Sequence, residues 1–393
     1  MENRYKRTKI ACYIGYFVQA IINNFLPLLF VMLNKSYQVS YEMLGRLILL
    51  NFFTQLCVDL LSFRIVKTFG YKRSVFAADV LAALGLILLS VLPLMTKHIY
   101  IAICISVVIY ATGSGLIEVL ISPIIEYLPT DNKSSGMSLL HSFYCWGQVA
   151  TVAVTTLFFT VFGIDEWYIM GLIWAVVPII NIFMFIGAPI VQPDGDSASE
   201  NPQNSILKNK GFYVYLILMF CAGSCELAVS QWASAFAEQG LHISKSAGDL
   251  LGPCSFAVFM GIGRVLYGIV GDKMNINKVL TFASVLCLCC YVALSFSNNA
   301  VLSLAACSLC GFSVSVMWPG TYSLAAKNFR QGGTAMFGLL AALGDIGCAM
   351  GPWITGLVST DGDLSKGFTV GIIFPLTMVI LLVVTNNARR RRV

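Results

Sequence analysis

Twelve apolar runs, most of them near the length that crosses a bilayer as a helix, dominate this 393-residue chain. They fall at about 10–33, 43–66, 74–94, 99–126, 137–162, 167–190, 212–236, 248–271, 279–297, 300–325, 333–359 and 367–385. At a rise of about 1.5 Å per residue, about 20 residues cover about 30 Å of hydrocarbon. Composition points the same way: 58% of residues are hydrophobic and only 11% charged. A soluble chain of this length would need a far more polar exterior. The expected fold is an all-α membrane protein with twelve transmembrane helices.

The charges orient it. With both termini in the cytoplasm, nineteen of the 25 Lys and Arg fall in cytoplasmic segments, and four (Lys35, Lys97, Lys245 and Lys366) in outer loops. Arg46 and Arg264 lie within helices. That bias follows the positive-inside rule, so the net charge of +6 belongs to membrane orientation and no nucleic-acid partner is expected. The tail 389-RRRR-392 is suited to anionic headgroups. The expected location is a bacterial cytoplasmic membrane. The first apolar run is too long for a signal peptide, and no small-residue cleavage site follows it. The 13 cysteines all lie in or at the ends of apolar runs and read as packing residues, not a disulfide framework. Cys307 and Cys310, and the run 287-CLCC-290, have metal-like spacing but no nearby His or Asp, so no metal or other cofactor is expected.

The long polar stretch 189-PIVQPDGDSASENPQNSILKNKG-211 cannot bury a core and reads as a cytoplasmic linker. It divides the chain into a six-helix bundle over 1–188 and a second over 212–393 that ends in the basic tail. The halves echo each other. Gly115 and Pro123 match Gly311 and Pro319 at an offset of 196, and 134-SSGMSLLHSFYCWG-147 parallels 334-TAMFGLLAALGDIG-347 at an offset of 200. Such duplication is expected of secondary transporters, whose sites lie near the midplane between repeats.

The loop after the second helix of each half carries a more specific signal. In the second half it reads 263-GRVLYGIVGDKMNINK-278, where Gly268, Asp272 and Lys273 resemble the Gly-x-x-x-Asp-Arg/Lys loop of the major facilitator superfamily. In the first half, 67-KTFGYKR-73 has Lys67 where the superfamily usually has Asp. That departure resembles the fucose:proton symporter branch, as do 113-GSGLIEVLISP-123, 139-LLHSFYCWG-147 and 225-CELAVSQW-232. The resemblance implies two six-helix bundles rocking about a central site. It also implies a gating role for Lys67, Gly70, Lys72, Arg73, Arg264, Gly268, Asp272 and Lys273.

Five acids lie within the predicted spans: Asp59, Asp79, Glu118, Glu226 and Asp345. Asp79, beside Lys72 and Arg73, reads as a local ion-pair partner. Asp59 and Arg264 occupy corresponding places in the two halves and suit a cytoplasmic gate, as partners across the halves. Glu118 lies near mid-depth, on a stripe with Ser114, Ser122 and Glu126 that repeats every four residues and so shares one helix face. Pro123 interrupts the ladder beside it. A charge at mid-span costs about 2.5–3.5 kcal/mol on insertion scales, which a carboxylate avoids by taking up a proton. Glu226 repeats the pattern with Ser230 and Ser234, and Asp345 sits among glycines that suggest close helix packing. All three are candidates for proton coupling, and the resemblance implies the same for an acid at the place of Glu118. Gln19, Asn23, Asn24, Gln148 and Gln231 supply neutral amides for a hydroxyl-rich ligand; Trp232 and Trp318 offer ring faces. The first helix, 23-NNFLP-27, lacks the acid that the fucose symporter has near this point. His141, near an edge, is a candidate pH sensor.

No phosphate loop, HExxH, GxSxG or His/Cys cluster is present in the sequence, so no enzyme is expected. The reading favoured is a monomeric carrier that imports a small neutral polar solute, such as a sugar, with a proton; sodium is the alternative ion. Rival readings are an exporter of amphipathic compounds and a transporter fold serving as a receptor or scaffold.

Overall fold

The computed structural model describes residues 2–126, 128, 133–190, 209, 211–270, 274–297, 299–329, 333–359 and 363–390. Among these residues every regular element is helical. Twelve spans are long and apolar enough to cross a membrane. They are α1 (Tyr5–Tyr37), α2 (Tyr41–Leu61), α3 (Tyr71–Met95), α4 (Ile99–Ile121), α5 (Ser142–Phe162) and α6 (Ile164–Phe185). The rest are α7 (Phe212–Gly240), α8 (Lys245–Tyr267), α9 (Ile276–Phe296), α10 (Ala300–Ala325), α11 (Gly338–Val358) and α12 (Leu364–Thr385). Many large apolar side chains stand exposed, among them Leu60 at 71%, Phe282 at 66% and Val161 at 65%. On a soluble protein such surface would be a liability; here hydrocarbon covers it.

Two compact units divide the chain. The first comprises Met1–Val39 and Leu50–Asp196, and the second Ser40–Leu49 and Ser197–Val393.

Sequence chemistry explains the irregular points. α1 tightens into a 3-10 turn over Leu26–Leu29, where Pro27 lacks the N–H an α-helix needs and the Phe30 N–H bonds back to the Pro27 carbonyl. Gly70, between α2 and α3, has φ of +78°, a conformation that costs glycine little and other residues more. α8 opens into a π turn at Leu250–Cys254 around Pro253. α9 and α10 start on Asn caps: Asn275 accepts from the N–H groups of Asn277 and Lys278, and Asn299 from that of Leu302.

Within each unit, glycines let helix backbones approach. In the first, Gly113 of α4 lies against Ala78 and Ala82 of α3, and Gly115 against Gln55 and Val58 of α2. In the second, Gly311 of α10 lies against the Phe256 backbone of α8. Gly115 and Gly311, matched at an offset of 196 in the sequence, thus make the same kind of contact in each repeat. α7 and α11 meet through Gly223, Gly344, Gly347 and Gly351, and the Ser224 hydroxyl donates to the Gly347 carbonyl at 3.1 Å. Close approach of this kind is what drives helix association where lipid tails remove the hydrophobic difference. The close packing suggested by the glycines around Asp345 is therefore present.

A Cβ at Gly347 would sit 2.1 Å from the Phe220 carbonyl oxygen, whereas one at Gly338 meets nothing within 4 Å. Gly347→Ala is expected to destabilise by about 1–3 kcal/mol through overpacking. Gly338→Ala is expected to be neutral or stabilising by up to about 1 kcal/mol from helix propensity. Thermal unfolding of the two purified variants checks this, and equal midpoints would contradict it.

Candidate functional site

The first unit holds a buried polar centre built from three pairs of residues, each pair spaced four apart so that it shares a helix face. Gln19 and Asn23 come from α1, Asn51 and Gln55 from α2, and Ser114 and Glu118 from α4. The Gln19 amide nitrogen donates to Glu118 Oε2 at 2.6 Å. One turn along, Asn23 Oδ1 accepts from Asn51 Nδ2 and Gln55 Nε2, both at 3.0 Å. The Ser114 hydroxyl donates to Gln55 Oε1 at 3.3 Å, and Asn23 Nδ2 reaches the Tyr144 hydroxyl of α5 at 3.5 Å. All but Glu118 and Tyr144, which are half-buried, are buried.

Two features give this centre chemical meaning. Glu118 forms no ion pair among the described residues and accepts from the neutral amide of Gln19. Two buried acceptor oxygens, Gln19 Oε1 and Asn51 Oδ1, have no hydrogen-bond partner among the described residues. Such an unpaired group costs about 1–3 kcal/mol, a deficit that a donor on a bound molecule would remove.

The second unit arranges its acid differently. Glu226 of α7 is paired with Arg264 of α8 at 3.6 Å. Sequence reasoning placed these two residues in separate roles, one for coupling and one for gating; the structure makes them neighbours. Toward the ends of the same helices, Lys245 donates to both Ser234 and Asp249 at 2.7 Å, and Ser234 also donates to Asp249. Asp249 is fully buried. By sequence Lys245 belongs to an outer loop; in the structure it opens α8, and its i, i+4 spacing from Asp249 is the sequence signal of this pair.

Other expectations change. Asp79 does not pair with Lys72 and Arg73, which are exposed. It is buried, and both its oxygens accept from Asn181 Nδ2 of α6 at 3.1 and 3.0 Å. Trp232 offers no open ring face, since it is fully buried, its N–H donates to the Pro352 carbonyl, and Tyr41 packs against it at 5.7 Å. Asn24 turns its amide back to the Ala20 carbonyl of its own helix at 2.9 Å. Trp318 rests on Gly344, edge-on to Tyr322.

Gln148 and Gln231 are buried, and Asp59 and Asp345 half-buried. Gly268 falls in the helix Ser255–Val270, while Asp272 and Lys273 lie outside the described residues, as do the side chains of Lys67, Ser122, Glu126 and His141. Asn51 and Gln55 are the residues that sequence reading missed. Their signal was again two amides four apart within an apolar run.

Spans of this number and length, in two helical units with polar centres inside, define an integral membrane protein. The family model of the Major Facilitator Superfamily matches residues 12–352, and the chain belongs to that superfamily of transporters. Among solved structures it is similar to a D-xylose–proton symporter, at a TM-score of 0.80 and 14% identity over 96% of each chain. It is also similar to the nucleoside transporter NupG, at 0.79 and 12%, covering 96% of this chain and 99% of that one. The fucose:proton symporter FucP of E. coli aligns at 0.66 and 15%, covering 96% and 98%. At these identities the likeness establishes the fold. No curated protein matches the chain in a search by sequence.

Removing one member of this partly buried pair strands the other charge, at a cost below the roughly 3–5 kcal/mol of a fully buried one. Arg264→Met should therefore lower the thermal midpoint more than the double variant Arg264→Met/Glu226→Gln does. A double variant no better than the single one would show that the pair is not coupled.

Proposed function

We propose that this chain imports a small neutral polar solute, such as a sugar, together with a proton, by alternating access. The observation that carries the reading is the centre in the first unit: an acid held by a neutral amide beside acceptors that lack donors. A carboxylate paired with a cation keeps its charge through a transport cycle. One bonded to an amide can take a proton and become neutral, which removes the barrier to moving it through a low-dielectric intermediate. Glu118 is the coupling acid on this reading. Glu226, tied to Arg264, serves binding and the gate. The amides of Gln19, Asn23 and Asn51 favour a hydrogen-bonding solute over an apolar one. An exporter's cavity would instead be dominated by aromatics and Met, so export of amphipathic compounds is the weaker alternative.

Glu118→Gln should bind solute and run counterflow at equal pH, because exchange needs no net proton movement. It should lose uphill accumulation under an imposed pH gradient. Proteoliposome uptake of D-xylose, L-fucose and uridine, with and without the gradient, checks both arms. Gradient-driven accumulation equal to wild type would make Glu118 structural. On the proposed orientation, with both termini cytoplasmic, single cysteines introduced at 195–205 should react only from the cytoplasmic side. Labelling of intact cells by an impermeant thiol reagent would reverse it.

A further inference from the structure

We propose that Gln19 is a positioning residue that turns its amide over when Glu118 gains or loses a proton. On that basis it carries the protonation state to the solute-facing side of the cluster. This inference rests on the reading of Glu118 as the coupling acid.

The geometry is that of a two-ended side chain with one end committed. Gln19 Nε2 donates to Glu118 Oε2 at 2.6 Å, while Gln19 Oε1 is buried and unpartnered. An ionised carboxylate only accepts hydrogen bonds, so it holds the NH₂ end of an amide; a protonated one also donates, and its O–H is matched by the C=O end. The protonation step is a simple O–H bond formed at a Glu118 oxygen. The amide's answer to it is a half-turn about its terminal torsion, which is broad and roughly two-fold. The end facing away from Glu118 then changes from acceptor to donor.

That change alters what the cluster asks of a ligand. Asn23 Oδ1 already accepts from both Asn51 and Gln55, and Gln55 Oε1 accepts from Ser114, so the neighbouring amides are fixed in direction. The open positions are Gln19 Oε1 and Asn51 Oδ1. With Glu118 ionised, both are acceptors. A hydroxyl has one hydrogen and satisfies one acceptor. With Glu118 protonated, Gln19 presents N–H, which donates to a solute oxygen, while Asn51 Oδ1 still takes a solute hydrogen. A solute oxygen that accepts from Gln19 is therefore favoured by the protonated site, and by linkage such a bound solute favours the proton.

Other titratable groups share this region. On the elements packed against α4, apart from residues near helix ends, they are Cys12, Tyr13 and Tyr16 of α1, Asp79 of α3 and Tyr144 and Cys145 of α5. Asp59 and Cys57 lie on α2, and Cys104 and Tyr110 on α4 itself. Asp79 is engaged by Asn181 and Tyr144 by Asn23. A variant of Glu118 separates their titration from that of the proposed relay.

The test is nitrogen-15 NMR of the full chain in nanodiscs, labelled only at glutamine and free of solute. The Gln19 side-chain resonance is identified by its loss in Gln19→Leu or, should that variant not fold, in Gln19→Asn. It is expected to shift along one titration curve between acidic and alkaline pH, and the shift is expected to vanish in Glu118→Gln. A resonance that stays in place overturns the relay, as does one that still titrates in Glu118→Gln. A static resonance in a chain whose Glu118→Gln variant has lost uphill accumulation removes the relay and leaves the transport reading standing.

Discussion

The hydrogen bond from Gln19 to Glu118 is the interaction on which the first unit's chemistry turns. A lone carboxylate within an apolar span is costly, by about 2.5–3.5 kcal/mol at mid-depth on insertion scales. A cation would offset that and fix the charge. A neutral amide stabilises the acid by hydrogen bonding while leaving it free to be discharged. Holding the amide in place takes three helices, because Gln19 shares its face with Asn23, which is bound by Asn51 and Gln55, and Gln55 is bound by Ser114 one turn from Glu118. The approach of α4 to α2 that closes this ring depends on Gly115, whose missing side chain lets Gln55 lie against it.

The second unit shows what the same repeat does with the other choice. Glu226 is matched by Arg264, so its charge is balanced within the unit. Lys245, Asp249 and Ser234 form a further, partly buried charged group near the other end of those helices. Buried pairs of this kind are weak evidence for stability but respond strongly to losing one partner. The two halves share helix order and glycine contacts, yet their polar centres differ in kind. One holds its acid with an amide and the other with a guanidinium.

Much of the fold was legible because the bilayer imposes a length: a run that must cover about 30 Å announces itself in hydropathy alone. The repeat was legible through Gly115 and Gly311, since glycine at a helix contact leaves no latitude for another residue. Glu118 stood out through its period of four with Ser114. Asn51 and Gln55 did not, because neutral amides disturb an apolar run little and sequence gives no sign of which helix they will meet. Asp79 misled for a related reason. Lys72 and Arg73 are near it in sequence, but its partner, Asn181, lies 102 residues away and is brought to it only by the packing of α3 with α6. Trp232 carried a ring whose direction the sequence leaves open, and packing turned it toward Pro352 and Tyr41.

The central claim is that solute and proton move together through the centre at Glu118. The most direct measurement places de-energised vesicles containing the protein in weakly buffered medium and records external pH as D-xylose, L-fucose or uridine is added. Import of a solute down its own gradient should draw protons inward and make the medium more alkaline, with the change lost when a protonophore is present. Solute entry with no accompanying change in external pH would contradict the account.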